Sequence, residues 1–225
     1  MPPLISFRKI AISLAMFALV AVGSAISAQA DTVTYTLNNP NSGISGFPAP
    51  YATVLVNRTT NTAATFTFTG LTTGGFAYLI GGAQAADLNF NVPVTYSLIF
   101  SVLSWTGGNA STSFSGGGPG TADGFGLFNF TLDNFDGFNS AVSSVTFTVT
   151  CSACNWLAAS SVLTPNSSDN SAAAHIFVSG TTCPPGQACS TGFAANGPLP
   201  EPTSMLLLGT GLLGVAGLAR RRFRK

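Results

Sequence analysis

Over much of this chain threonine alternates with a large apolar residue. TVTYTL places Val33, Tyr35 and Leu37 on one side and threonine on the other. AATFTFTG does the same with Phe66 and Phe68, and SSVTFTVTC with Val145, Phe147, Val149 and Cys151 against Thr146, Thr148 and Thr150. A period of two fits only an extended strand with one face buried and one face wet; wound into a helix, the same residues would scatter around the axis. The β-branched and aromatic residues that fill these runs also suit a pleated, half-buried surface.

YATVLV, FAYLI, VTYSLIFSVLSW, FGLFNFTL and AHIFVSG read as further strands, separated by turn-forming clusters such as NNPNSGISGFPAP and GGNASTSFSGGGPG. No interior segment carries a capped pattern of helical period. The expectation is an all-β fold: an antiparallel β-sandwich of about eight strands, jelly-roll-like or Ig-like, spanning residues 31–197. Threonine takes the outward positions where lysine and glutamate are usual, so charged residues make up only 7% of the chain. The net charge of +1 is set by the ends; between them Arg58 is the only basic residue, against Asp31, Asp87, Asp123, Asp133, Asp136 and Asp169. A nucleic-acid partner needs a basic face to neutralise phosphates, and this composition excludes one. The 18 phenylalanines supply core material that disordered chains lack.

The ends have a different character. Arg8 and Lys9 precede an apolar stretch from Ile10 to about Val22, and small residues then lead to Ala28-Gln29-Ala30. Basic start, apolar run and A-x-A site form the layout of a secretory signal peptide over residues 1–30, cleaved between Ala30 and Asp31. At the other end residues 203–219 form an apolar run at the short limit of a transmembrane helix. Arg220, Arg221, Arg222, Arg224 and Lys225 follow at once. A basic cluster stays on the cytoplasmic side and stops transfer, so the interior of the chain faces outward. Gly211, Gly214 and Gly217 leave a smooth stripe on this segment, without a strict G-x-x-x-G.

Between the body and that run stand Pro200, Glu201 and Pro202. Proline on both sides keeps the backbone extended, the form an active site can grip, and leaves Glu201 as a lone carboxylate. This order of Pro-Glu-Pro, apolar helix and arginine cluster resembles the PEP-CTERM sorting domain of Gram-negative bacteria over about residues 198–225. The resemblance implies that Pro200, Glu201 and Pro202 are recognised by an exosortase-like membrane enzyme that processes the tail. It implies an inner-membrane anchor first, then a cell-surface or extracellular destination, and a link to exopolysaccharide and biofilm systems. It covers the tail alone.

Within the body, Cys151, Cys154, Cys183 and Cys189 point to two disulfides in an exported protein. Cys183 and Cys189 flank a PPGQA turn and suit local closure, leaving Cys151 with Cys154, although strand phase points those two apart and keeps cross-pairing open. Zinc and redox roles are weaker alternatives, because Cys-x5-Cys is not a usual knuckle spacing and no thioredoxin-like context surrounds the Cys-x-x-Cys. Asp123, Asp133 and Asp136 cluster in TADGFGLFNFTLDNFDGF, where loop carboxylates suit calcium, yet the EF-hand offsets are not met and Asp-Gly turns explain the same residues. Trp105, Trp156, Phe125, Phe135 and Phe138 are the aromatic candidates for a sugar platform or, equally, core residues. His175 is the only histidine, no G-x-S-x-G elbow is present, and nothing positions Asp133 and Asp136 as a glycosidase pair. The functional expectation is a non-enzymatic surface or matrix protein without a cofactor; the alternative is a lectin-like module for carbohydrate or calcium.

Overall fold

The computed structural model describes residues 31–109, 112–134 and 137–197. Its fifteen strands are, in chain order, β1 (Asp31–Leu37), β2 (Asn39–Pro40), β3 (Ala52–Thr60), β4 (Ala63–Gly70), β5 (Thr72–Thr73), β6 (Phe76–Ile80), β7 (Gly82–Leu88), β8 (Ile99–Gly107), β9 (Ser115–Gly116), β10 (Gly120–Ala122), β11 (Gly126–Phe128), β12 (Phe130–Asn134), β13 (Val142–Thr150), β14 (Ala172–Gly180) and β15 (Ser190–Ala195). All paired strands are antiparallel. Helix is confined to two short 3-10 turns, Gly137–Ser140 and Ala159–Ser161. The all-β expectation therefore stands. The strand count exceeds the sequence reading because short pieces such as β2, β5 and β9 carry too few residues to show a period, and because β7 (GAQAADL) and β15 (STGFAA) lack a clean apolar–polar alternation.

Thirteen strands share one hydrogen-bonded network. One arm runs β1-β3-β4-β13-β8, and the other is built around β14, flanked by β15 on one side and by β6 and β7 on the other, with β12 beyond β7. The arms join at a single pair, Val142 of β13 opposite Ile80 of β6. Their apolar faces meet in the core: Phe130 of β12 stacks on Phe147 of β13 at 5.8 Å and meets Phe100 of β8 edge-on at 5.8 Å. Phe147 in turn stacks on Phe66 and Phe68. The alternation read from the sequence is the cause, since Val145, Phe147 and Val149 are fully buried while their threonine neighbours are not.

Those outward threonines line up across strands. One row reads Thr36, Thr53, Thr69, Ser144, Thr106; the next Thr34, Leu55, Thr67, Thr146, Ser104; the next Thr32, Asn57, Thr65, Thr148, Ser101. The Thr65–Thr148 and Thr67–Thr146 hydroxyls are 3.0 and 3.1 Å apart, so they hydrogen-bond across the ladder. A register slip of one residue would bury every hydroxyl and expose every phenylalanine, which fixes the pairing.

The second arm has a different outer face. The β10–β11 hairpin folds over it, and Ala122, Phe125 and Phe128 form a small second core with Ala173 and Ala195. Gly74 and Gly75, both with positive φ, make the tight turn between β5 and β6, a conformation that glycine adopts without Cβ strain.

Candidate functional site

The first strand, β1, is an edge of its arm, and a groove runs beside it. Two neighbouring openings of about 370 Å³ each share Tyr35, Ser160 and Asn196. Leu163 and Pro165 add an apolar wall to one; Thr34, Thr36 and Asn38 add hydroxyl and amide groups to the other. That volume lies in the range of small-molecule sites, and the lining combines one aromatic ring with hydroxyl and amide groups.

Each lining group is set by local structure. Tyr35 lies on the inward phase of β1, and its partial burial pushes the phenol pKa up, keeping it neutral. Asn196 directly follows β15, and its Oδ1 accepts from the Ser171 and Ala172 amides at 2.9 and 3.0 Å. Its Nδ2 carries no hydrogen bond to a described residue. Asp169 sits exposed at positive φ in a turn held by the Asn166 side chain, whose Oδ1 accepts from the amides of Ser168 and Asn170. Gly197, the last described residue before the tail, also lines the groove.

The residues expected from the sequence go elsewhere. Asp123, between β10 and β11, accepts a hydrogen bond from Asn41 at 3.1 Å, whereas Asp133 in β12 accepts one from the Gln84 amide at 2.7 Å. They serve different elements, and no cluster of three metal-ligating acidic, histidine or cysteine residues occurs among the described residues. Asp136 and Phe135 lie outside the described residues. Trp156 is buried, stacked on Phe90 with its indole N–H donated to the Asn91 carbonyl, and Phe125 is part of the second core. Phe138 packs edge-on against Phe177. Trp105 alone among the described candidates is half-exposed, resting on Phe114.

His175 in β14 stacks on Phe193 at 4.6 Å. Its Nδ1–H donates to the Ala83 carbonyl, which leaves Nε2 to accept from the Thr191 hydroxyl at 2.7 Å. Burial lowers its pKa, so the ring is neutral. A backbone carbonyl, not a carboxylate, holds it. The cysteines form Cys151–Cys154 and Cys183–Cys189 disulfides with Cα separations of 5.3 and 4.8 Å. The local pairing holds because the chain turns at once after Cys151, where the Cys154 amide donates to the Cys151 carbonyl, and brings the two sulfurs to one side.

One carboxylate escaped the sequence reading. Asp87 of β7 is fully buried under the β10–β11 hairpin, and neither of its oxygens has a hydrogen-bond partner among the described residues. The neighbouring Thr131 hydroxyl is equally unpaired. Desolvation pushes the Asp87 pKa well above the usual carboxylate range; the nearby Thr131 hydroxyl pulls it back in part, and the charge of Asp133 pushes it up further. The signal was a lone aspartate in the apolar run AADLNF, which alternation places on the face opposite Ala86 and Leu88.

The signal-peptide residues Ala28 and Ala30, the sorting triplet Pro200, Glu201 and Pro202, the 203–219 run and the basic residues Arg220, Arg221, Arg222, Arg224 and Lys225 lie outside the described residues; Asp31 is the first residue of β1. Among the described residues no helix is long and apolar enough to cross a membrane. Comparison with protein families matches residues 198–222 to the PEP-CTERM protein-sorting motif. No curated protein matches the chain. No solved structure matches it either. The C-terminal tail thus carries a PEP-CTERM sorting motif, the mark of an exported, exosortase-targeted protein, on a disulfide-bonded β-rich body.

Proposed function

We propose that this chain is a non-enzymatic protein of the cell surface or extracellular matrix of a Gram-negative bacterium. A signal peptide over residues 1–30 exports it, the 203–219 helix and the 220–225 basic cluster hold it in the inner membrane, and an exosortase-like enzyme grips Pro200, Glu201 and Pro202 and processes the tail. The body, residues 31–197, is left in the exopolysaccharide layer of a biofilm. The observation that carries this reading is the sorting motif at residues 198–222. Two disulfides, which persist in oxidising compartments, support export. The uncharged hydroxyl face of β1, β3, β4, β13 and β8 suits a neutral polymer environment. No cofactor enters the reading. The test is the intact mass of the protein from its native cells, before and after reduction. A mass ending near Pro200 to Thr203 is expected; a mass running from Asp31 to Lys225 would defeat the processing step.

The groove beside β1 supports a second reading, a lectin-like carbohydrate module in which Tyr35 stacks on a sugar face while Asp169 and Asn196 supply hydrogen bonds. Calcium has less support, since Asp123 and Asp133 bind separate partners. A neutral glycan that raises the melting temperature of the wild type, and fails with Tyr35→Ala, is the expected result. An equal shift in both proteins would remove the groove from consideration.

A further inference from the structure

We infer that β8, Ile99–Gly107, is the surface through which two copies of this chain pair edge to edge. Among the described residues β8 is bonded only to β13, so its other edge presents unpaired N–H and C=O groups. Nine extended residues make that edge about 30 Å long. Proteins guard such edges with charge, proline or a bulge. Here no charge or proline is present, and the register steps twice, at Leu103 between Thr146 and Phe147 and again between Val142 and Ser144.

The same stretch concentrates the apolar surface. Val94, Tyr96, Ile99, Leu103 and Trp105 are five of the eight large hydrophobic side chains exposed among the described residues. Ile99 is 69% exposed, Leu103 58% and Trp105 46%. Leu103 stands at the register step, with Ile99 opposite Thr150 toward the outer face of the sheet and Trp105 opposite Val145 toward the inner one.

The chemistry points to a second copy as the occupant. An open main-chain ladder is satisfied by another strand. No charged residue lies between Asp87 and Asp123, whereas the described charges elsewhere are Asp31, Asp87, Asp123, Asp133 and Asp169 against Arg58. Two such acidic molecules approach without like-charge repulsion only across a charge-free span, and a charged partner would find no counter-ion there. A two-fold antiparallel pairing of β8 with itself at full overlap places its middle residue, Leu103, against Leu103 of the second copy. This inference concerns the body and does not depend on how the tail is processed.

The experiment uses the full chain in its native cells, with Leu103→Cys. Antiparallel pairing holds facing Cα atoms about 4.5–5.5 Å apart, within disulfide reach. The expected result is a species of doubled mass on a non-reducing gel that collapses on reduction. Leu127→Cys, equally exposed at 58% but on β11, stays monomeric. In a second arm, full-length Leu103→Lys and Leu103→Glu chains each self-associate at least tenfold more weakly than wild type, and an equal mixture of the two recovers the dimer. Failure of Leu103→Cys to crosslink, equal crosslinking by Leu127→Cys, or a dimer indifferent to both charged variants would overturn the pairing. The last outcome is the one that association through the tail or through a bridging glycan would give.

Discussion

Replacing Asp87 with asparagine isolates the energetic cost of a carboxyl group placed where nothing answers it. The side chain is fully buried between Thr131 of β12 and Ala173 of β14, and both oxygens lack partners. Its pKa is raised in the folded protein by desolvation, which outweighs the opposing pull of the nearby Thr131 hydroxyl and is reinforced by Asp133. The folded state therefore keeps a proton that the unfolded chain releases above its ordinary value near 3.8. With more protons bound in the folded state, stability falls as pH rises. The contribution is most favourable below the unfolded value, declines as pH climbs toward the raised folded value, and levels off beyond it. Leaving a buried polar group unanswered costs about 1–3 kcal/mol, more when it is charged. Asp87→Asn removes the ionisation and keeps the shape. At neutral pH it is expected to raise the melting temperature by roughly 3–10 °C, at about 2–4 °C per kcal/mol for a body of this size. Near pH 4 the two proteins converge. Melting curves from pH 4 to 8 read this directly. Parallel curves would show that Asp87 titrates normally. A less stable asparagine variant at pH 7 would show that the carboxylate holds a partner, and the reasoning from desolvation would fail.

Two further outcomes follow from the core and the disulfides. Phe147→Ala removes the ring that Phe66, Phe68 and Phe130 stack on, and a loss of about 3–5 kcal/mol in denaturant unfolding is expected; a loss below 1 kcal/mol would mean the arms do not depend on that contact. Replacing Cys183 and Cys189 together by serine releases the short loop between β14 and β15 and is expected to cost about 2 kcal/mol by loop-closure entropy, measured the same way under non-reducing conditions.

Much of the body was legible in the sequence because a period of two is a local signal. TVTYTL, AATFTFTG and SSVTFTVTC each state which side chains go inward, and Phe66, Phe68, Phe147 and Val149 are all buried as that phase requires. The disulfide pairs were legible only in part. Spacing favoured Cys183–Cys189, but strand phase argued against Cys151–Cys154, and the turn that begins after Cys151 decided it. The candidate site was hardly legible at all. Tyr35 reads as an ordinary inward residue of its strand, and only the meeting of β1 with the segments that hold Ser160, Asp169 and Asn196 opens a groove beside it. Trp156, the more obvious aromatic, is buried by the same packing.

Residues adjacent in the chain set the long threonine-alternating strands and the face each buries, the scarcity of charge and the sorting tail. Tertiary structure alone decided which strands became edges, that Asp87 is sealed without a partner under the β10–β11 hairpin, and that Ile99, Leu103 and Trp105 stay exposed on β8. The reason is physical. Alternation tells a residue which face it is on, but whether that face, or that strand's edge, is covered depends on segments far away in sequence, and no local period carries that information.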